Sequence, residues 1–339
     1  MKGRAPGFWW RPPGLASALL APIGAMVGAT TLHRMARRGE QVPVPVICIG
    51  NPTVGGAGKT PTAIWCLDRL AAAGGRPFAL LRGHGGAVTA PVLVDPLRHD
   101  ADAVGDEALL LVGHAPTLVA GGDRAGGARR AVAEGASHIV MDDGFQNPSL
   151  AKDASLLVVD AAVGVGNGAV LPAGPLRAPL APQVARADAV LLIGTGPAGE
   201  QVARVAEGLG RTVLRARLAP CPSAVAALRG RPLHAFAGIG RPEKFFSTLE
   251  RNGLDLRART VFPDHHRFAL ADLIALKRAA ERAGATLVTT SKDMARLGTP
   301  DLSALRDGIA VLPVTLAPDV PAALDALLEL AATRARARR

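Results

Sequence analysis

The stretch GNPTVGGAGKTP, Gly50–Pro61, lies between the apolar run VPVICI and an Ala/Leu-rich stretch with helical periodicity. In the phosphate-binding pattern G-x-x-x-x-G-K-[ST], glycines let the backbone approach phosphate closely, and N–H groups at the start of the next helix bind its oxygens. Thr53 stands at the first glycine of that pattern, whereas Gly58, Lys59 and Thr60 complete it. Because a strand precedes the loop and a helix follows it, we predict a nucleotide-binding loop. A glycine-rich turn with an exposed lysine is the alternative.

The apolar runs that follow predict the architecture around this loop. Short continuous runs such as FALL, HIVM, SLLVV and AVLLI alternate with helical stretches, which indicates a parallel sheet buried on both faces. The pattern weakens around residues 215–230 and then restarts. We therefore predict an α/β fold, with a P-loop NTPase-like parallel sheet domain over residues 41–222 and a smaller C-terminal α/β domain over residues 223–339. The tail ATRARARR is predicted to be a solvated basic end.

The N-terminal 40 residues have a different character. The stretch GLASALLAPIGAMVGATTL, from Gly14 to Leu32, carries no charge, and Trp9 and Trp10 precede it. Basic residues flank it on both sides: Lys2, Arg4, Arg11, Arg34, Arg37 and Arg38. Aromatic and basic flanks suit the headgroup layer of a membrane. We predict a membrane-associated helix within residues 1–40 that lies at the interface. A true span and a buried or targeting segment are the alternatives, since about 20 apolar residues can cross a bilayer.

Composition limits the class of partner. The chain has 339 residues, of which 49% are apolar, so it can bury a sizeable core. A formal net charge of +11 favours an acidic partner, although a bias toward arginine codons would produce the same excess. Only 3% of the residues are aromatic, which disfavours nucleic acid because single-strand readers stack bases on aromatic rings. The three widely spaced cysteines predict reduced thiols.

Four short polar segments are candidates for chemistry. SHIVMDDGFQ reads as a strand that ends in Asp142-Asp143, which suits carboxylates that organise Mg²⁺; turn formation before Gly144 is the alternative. GDE, Gly105–Glu107, opens a helix, where acidic residues act as caps. DHH, Asp264–His266, follows a strand and offers a base, a metal ligand or only a loop. SKD, Ser291–Asp293, ends another strand, so Lys292 is either a phosphate contact or a surface charge.

Together these segments resemble one family, the tetraacyldisaccharide 4′-kinases, which phosphorylate a lipid A precursor. The matching segments run in order along nearly the whole chain: GNPTVGGAGKTP, LRGHGG, GDEALLL, MDDGFQNPSLAKD, GNGAVLPAGPLRAP, FAGIGRPEKFF, FPDHHRF and TTSKD. DDGFQ and LPAGPLR are specific to the family rather than general kinase features. The N-terminal apolar helix with basic flanks also resembles that family's membrane-associated helix.

The resemblance implies a role for each matching position. The ATP loop would be Thr53, Val54, Gly55, Gly56, Ala57, Gly58, Lys59 and Thr60. Thr60, Asp142 and Asp143 would organise Mg²⁺, and Lys59 would offset charge on the phosphates. Asp106 would accept the proton of the 4′-hydroxyl, paired with His265 or, as the competitor, His266. Further candidates for substrate, phosphate or metal contacts are Arg82, Glu107, Arg177 and Lys292. A histidine supplied by the second domain implies that the cleft closes over ATP.

The implied reaction is ATP-dependent transfer of the γ-phosphate to the 4′-hydroxyl of an acylated glucosamine disaccharide 1-phosphate, forming the 1,4′-bisphosphate. The implied location is the cytoplasmic face of the bacterial inner membrane, against an anionic surface, with no obligate protein partner and no nucleic acid. Two positions depart from the family pattern: His84 stands where Tyr is expected, and Ser291 stands where Glu is expected. The alternative is a nucleotide-dependent switch or metallochaperone of the GGxGKT type, against which Val54 argues, because those proteins carry lysine there.

Overall fold

The computed structural model describes residues 5–338. The strands are β1 (Val46–Gly50), β2 (Pro77–Leu81), β3 (Val92–Leu93), β4 (Thr117–Val119), β5 (His138–Asp142), β6 (Ala154–Asp160), β7 (Ala189–Ile193), β8 (Thr212–Pro220), β9 (Leu233–Ala237), β10 (Leu256–Val261), β11 (Thr286–Thr289), β12 (Ala310–Val311) and β13 (Val314–Pro318). The helices are α1 (Leu15–Met35), α2 (Lys59–Ala72), α3 (Ala101–Val104), α4 (Asp106–Leu111), α5 (Arg124–Ala133), α6 (Leu180–Ala185), α7 (Pro197–Gly208), α8 (Pro222–Leu228), α9 (Pro242–Arg251), α10 (Leu270–Arg282), α11 (Ser291–Arg296), α12 (Pro300–Ser303) and α13 (Pro321–Ala337). A single 3₁₀ turn, Gly7–Trp10, precedes α1.

The described strands form two sheets. The larger sheet has nine strands in the order β13-β8-β7-β6-β1-β5-β2-β4-β3, and the smaller has four in the order β10-β9-β11-β12. Neighbouring strands run parallel except at the two edges of the larger sheet, where β13 and β3 are antiparallel to their neighbours. The expected α/β architecture with a parallel nucleotide-type sheet and a second, smaller sheet is confirmed.

Helices cover both faces of the larger sheet, which explains the continuous apolar runs in its strands. In β1, Ile47 and Ile49 face the core beneath α2, whereas Val46 and Cys48 face the core on the other side, and all four are fully buried. A strand that packs on both faces has no solvent side to favour a polar residue at alternate positions. The sheet therefore gives β1 a rigid position from which its loop emerges.

The C-terminal segment requires a correction to the predicted unit of residues 223–339. β13 pairs with β8 in the larger sheet, and Leu324 and Leu328 of α13 join the core of that sheet. The prediction of a solvated tail is also wrong for two of its arginines, since Arg334 donates to the main-chain oxygen of Asp153 at 2.8 Å and Arg338 pairs with the same residue's buried carboxylate. The chain thus returns to the larger sheet because β8 offers it a free edge.

Helix α1 packs through small residues and exposes large ones. Gly24 and Gly28 lie against Val170 and Pro179, and the Ser17 hydroxyl donates to the carbonyl of Ala173 at 3.0 Å. The exposed large side chains of this helix are Leu15, Leu19, Ile23, Met26 and Val27. Among the described residues α1 is the one helix long and apolar enough to cross a membrane. The flanking Lys2 and Arg4 lie outside the described residues.

Candidate active site

The loop between β1 and α2 lies at the carboxyl edge of the larger sheet. Gly55 and Gly58 adopt positive φ angles of 101° and 95°, a region in which side chains are strained. A Cβ at Gly58 would also collide with Cδ1 of Ile193 on β7. Backbone geometry therefore favours glycine at both positions, and at Gly58 a Cβ would also force the Ile193 side chain to move, as expected for a loop whose N–H groups approach a phosphate.

Lys59 is held inside the loop rather than exposed, which rules out the glycine-rich turn with an exposed lysine. Its side chain is 8% exposed, and its ammonium donates to Oδ1 of Asn51 at 3.1 Å. The same ammonium lies 3.8 Å from Oδ2 of Asp143. The side chain is thus kept at the mouth of the loop with a carboxylate nearby. The sequence reasoning did not single out Asn51, although its position directly after β1 marked it as part of the same edge.

The Thr53 end of the loop is braced by the segment PAGPLR. The N–H of Val54 donates to the carbonyl of Pro175 at 2.9 Å, and Arg177 donates through Nε to the carbonyl of Thr53 at 3.0 Å. The same guanidinium reaches Oδ2 of Asp143 at 2.9 Å. Arg177 therefore joins the loop to Asp143, the carboxylate that follows β5. This position beside the loop is compatible with the predicted phosphate contact of Arg177.

Asp142 and Asp143 are neighbours in sequence but have opposite electrostatic environments. Both carboxylate oxygens of Asp142 are buried and have no hydrogen-bond partner among the described residues. Burial, followed by the charge of Glu107, raises the pKa of Asp142 from 3.8 to about 7. Asp143 is only partly buried, and the charges of Lys59 and Arg177 outweigh its desolvation and lower its pKa. The pair thus offers one carboxylate without a partner and one that is already neutralised.

Asp106 and Glu107 begin α4 and face the smaller sheet. Oδ1 of Asp106 accepts from the N–H of Glu107 at 2.9 Å, so it also caps the helix. Oδ2 lies 3.5 Å from Nδ1 of His265. Glu107 pairs with Lys292 at 2.7 Å, and that lysine lowers the pKa of Glu107. Asp106 and Glu107 of the GDE segment therefore both contact side chains of the second unit.

Several cations act on the pKa of Asp106. Burial alone would raise it, but the hydrogen bond with His265 and the charges of Lys292 and Arg296 lower it overall. In turn, the hydrogen bond to Asp106 raises the pKa of His265. Asp106 is therefore an ionised carboxylate held beside an imidazole that favours a proton.

The two histidines of the DHH segment have different surroundings. His266 pairs with Oδ2 of Asp272 at 2.9 Å and stacks on Phe262 with ring centroids 4.7 Å apart. His265 has a positive φ of 54°, which turns its ring toward Asp106. Of the two histidines, His265 and not His266 therefore lies beside Asp106, and the catalytic role of His265 stays a prediction.

The remaining predicted contacts lie at the same edge. Arg82 is exposed. Burial is the main cause that lowers the pKa of Arg124, and the charges of Arg82 and Arg177 lower it further. Lys292 is not a surface charge: burial would lower its pKa, but Glu107 and Asp106 outweigh it and raise the pKa. The charge of Asp142 also raises the pKa of this lysine, whose ammonium pairs with Glu107.

Sequence reasoning missed two buried arginines at the site. Arg124 donates to the carbonyl of Asp143 at 3.2 Å, and its only signal was its place after the capping Asp123 beyond β4. Arg296 donates through Nε to Oδ2 of Asp106 at 2.8 Å. Its signal was the spacing of one helical turn after Asp293, which a single sequence does not distinguish from an ordinary surface pair.

The arrangement has the parts needed for phosphoryl transfer. Lys59 and Arg177 place positive charge beside a glycine loop at a helix N-terminus, and Asp142 offers oxygens suited to a divalent cation. Asp106 and His265 place an ionised carboxylate beside an imidazole, a combination suited to proton transfer. The elements come from both sheets, so the site is complete only when the two units are together.

Known proteins share this fold and sequence. A family model described as Tetraacyldisaccharide-1-P 4'-kinase matches residues 16–332. Two proteins named tetraacyldisaccharide 4'-kinase, from Xanthobacter autotrophicus and Azorhizobium caulinodans, are 66% and 56% identical to this chain; the first alignment covers 99% of both chains and the second covers 100% of both. A crystal structure described as LpxK from Aquifex aeolicus in complex with ATP has a TM-score of 0.71 at 22% identity, covering 94% of this chain and 100% of that one. The match over nearly the full length favours the kinase over the GGxGKT switch. The chain belongs to the tetraacyldisaccharide 4'-kinase family.

Proposed function

We propose that this protein transfers the γ-phosphate of ATP to the 4′-hydroxyl of a tetraacylated glucosamine disaccharide 1-phosphate, giving the 1,4′-bisphosphate of the lipid A precursor. The observation that carries the proposal is the contact between Asp106 and His265, in which Oδ2 and Nδ1 lie 3.5 Å apart. The two side chains come from different units, Asp106 from the start of α4 and His265 from the loop after β10. Family membership supports the identity of the acceptor.

Each side chain has a defined task in this reaction. Lys59 and Arg177 offset the negative charge that develops on the transferred phosphoryl group. Asp106, ionised and oriented by His265, accepts the proton of the 4′-hydroxyl as its oxygen bonds to the γ-phosphorus and the bond to ADP breaks. The raised pKa of His265 favours an imidazolium beside Asp106 and stabilises that carboxylate in its ionised form. Closure of the smaller unit excludes water, so that ATP is not hydrolysed.

The residues present fit a Mg²⁺ ion. Buried carboxylate oxygens without a hydrogen-bond partner, as at Asp142, are costly unless a cation binds them. Among residues 5–338 no group of three or more His, Cys, Asp or Glu side chains could hold a metal alone. Kinase magnesium is usually held by one or two carboxylates together with the substrate phosphates. Asp142, Asp143 and the Thr60 hydroxyl would hold the ion, which would supply charge neutralisation at the β- and γ-phosphates.

We further propose that the enzyme lies on the cytoplasmic face of the inner membrane, where ATP is available. The exposed residues Leu15, Leu19, Ile23 and Met26 recur every three to four positions and form one stripe along α1. The small residues on the opposite face are used for packing against the protein. A helix with this division of faces lies on an apolar surface with its large side chains inserted. An anionic membrane would also complement the positive charge of the chain.

The test is transfer of label from γ-labelled ATP to tetraacylated disaccharide 1-phosphate in mixed micelles with Mg²⁺. The expected product is labelled lipid, reduced on the order of 1000-fold in Asp106→Ala, since loss of a proton acceptor typically costs 10²–10⁴-fold. The matched control is Asp68→Ala, because Asp68 is an exposed carboxylate paired with His114. ATP hydrolysis without labelled lipid would overturn the proposed reaction and leave an ATPase.

A further inference from the structure

The guanidinium of Arg296 reaches from α11, beside the smaller sheet, into the carboxylate that begins α4. Its side chain is 7% exposed. Nε donates to Oδ2 of Asp106 at 2.8 Å, and Nη2 donates to the same oxygen. Nη2 also lies 3.2 Å from Nδ1 of His265. One buried cation therefore contacts both members of the acid–base pair.

The same guanidinium is fixed on its other side. Nη1 donates to Oδ1 of Asp293 at 2.8 Å and to the carbonyl of Gly238 at 2.6 Å. Asp293 is fully buried and accepts from the N–H of Gly238 and from the hydroxyl of Thr290. Asp293 thus holds the arginine in place from within its own unit, independently of Asp106.

Arg296 also acts on the backbone that carries His265. The N–H of His265 donates to the carbonyl of Gly238 at 3.1 Å, and this is the same carbonyl that accepts from Nη1 of Arg296. His265 has a positive φ, a conformation that persists in a non-glycine residue only where the surroundings fix it. The position of the imidazole therefore depends on a carbonyl to which Arg296 is bonded.

We propose that Arg296 is the positioning residue of the Asp106–His265 pair, a role that rests on the proposed function. With Oδ1 of Asp106 occupied by the N–H of Glu107 and Oδ2 by Arg296, the carboxylate has one orientation when the units are together. Only the planar fork of a guanidinium reaches Asp106, Asp293 and Gly238 at once. A lysine at this position keeps the charge but reaches fewer of these partners.

The other charged groups that face Asp106 do not replace this contact. Lys292 is paired with Glu107, and His265 is itself held through Gly238. Asp293 adds a second negative charge, which would repel Asp106 if the arginine were absent. Removing Arg296 therefore frees Asp106 to turn, and a displacement of about 1 Å in a reacting group can cost on the order of 100-fold in rate.

The test is a double-mutant cycle on phosphate transfer to the lipid, measured by single-turnover kinetics with the full chain. We expect Arg296→Gln to lower the transfer rate on the order of 100-fold and Arg296→Lys on the order of 10-fold, with the Kd of an ATP analogue unchanged. In an Asp106→Asn background the further loss from Arg296→Gln should shrink to about 3-fold or less, because Arg296 then has no carboxylate to position. Arg69→Gln, which breaks a remote arginine–carboxylate pair with Asp325, is the matched control.

The results of this test distinguish a failure of the proposed function from a failure of the positioning role of Arg296. Losses that multiply in the double variant, or that appear equally in ATP affinity, would make Arg296 a purely structural residue. If the melting curve shows that Arg296→Gln does not fold, the double-mutant cycle is measured with Arg296→Lys instead, because the lysine leaves no uncompensated buried charge. A wild-type chain that transfers no label to the lipid would overturn the proposed function and this role with it. Activity with a multiplicative cycle would overturn the role of Arg296 alone.

Discussion

Replacing Asp142 by Asn should make the protein more stable while it removes activity. In the folded protein the pKa of Asp142 is raised from 3.8 to about 7 by burial and by Glu107. At about 1.4 kcal/mol for each tenfold change in a protonation equilibrium, ionising this side chain at pH 8 costs about 4 kcal/mol. The Asn amide also has no hydrogen-bond partner there, which lowers the stability of the variant by about 1–3 kcal/mol and offsets part of the gain. We expect a net gain of about 2 kcal/mol at pH 8 in the absence of nucleotide and metal.

The gain should depend on pH in a defined direction. Between pH 4 and pH 7 the folded protein keeps a proton on Asp142 that the unfolded chain releases, so wild-type stability falls through this window as the pH rises. Since Asn does not titrate, the Asp142→Asn variant should exceed the wild type in stability by the largest margin at pH 8. This margin should shrink as the pH falls and reverse toward pH 4, where only the cost of the unpaired amide remains. The assay is the difference in denaturation midpoint between the two proteins as a function of pH.

Asp143→Asn is the matched control for this prediction. Lys59 and Arg177 lower the pKa of Asp143, so its charge stabilises the folded state above the ordinary carboxyl pKa. The control should therefore lose stability at pH 8, opposite in sign to Asp142→Asn, although the two positions are adjacent. Equal effects of the two substitutions, or a gain for Asp142→Asn that does not change with pH, would refute the electrostatic reasoning.

Three further predictions concern the site and its surroundings. His265→Ala should lower the rate of lipid phosphorylation on the order of 100-fold or more, whereas His266→Ala, whose ring pairs with Asp272, should stay within about 5-fold; the reverse order would assign the role to the other histidine. Gly58→Ala should weaken binding of an ATP analogue by at least about 10-fold in a titration, because its positive φ strains any side chain and the added Cβ would displace the end of Ile193; unchanged affinity would show that the loop adapts. Leu19→Glu combined with Ile23→Glu should reduce turnover on vesicles but not ATP binding, since both side chains are exposed on α1; an unchanged rate on vesicles would remove the membrane contact.

The parts of the site that could be predicted are those encoded by neighbouring residues. The glycine pattern around Lys59 specifies a loop because few other residues adopt the required φ angles. Asp142 could be placed at the end of a strand because an apolar run of strand length directly precedes it. The roles assigned to these residues stay predictions until the kinetic tests are made.

The pairing of the C-terminal segment could not be predicted in the same way. Val314–Pro318 reads as an ordinary strand in either unit, because its sequence does not specify which sheet edge is free. The arginines of the tail likewise carry no local sign of the buried Asp153 that receives one of them. A local pattern indicates what kind of element forms, whereas the partner depends on where the rest of the chain has gone.

The sequence by itself determined the α/β class, the nucleotide loop and the segments that carry the carboxylates, because each depends on periodicity or backbone geometry within a few residues. Only the tertiary structure decided that His265 faces Asp106 and that Arg296 contacts both. These side chains are separated by more than 150 positions from Asp106 along the chain and meet through the packing of two units. Which of two adjacent histidines lies beside Asp106 depends on a backbone conformation that the surrounding contacts impose, and a single sequence does not record those contacts.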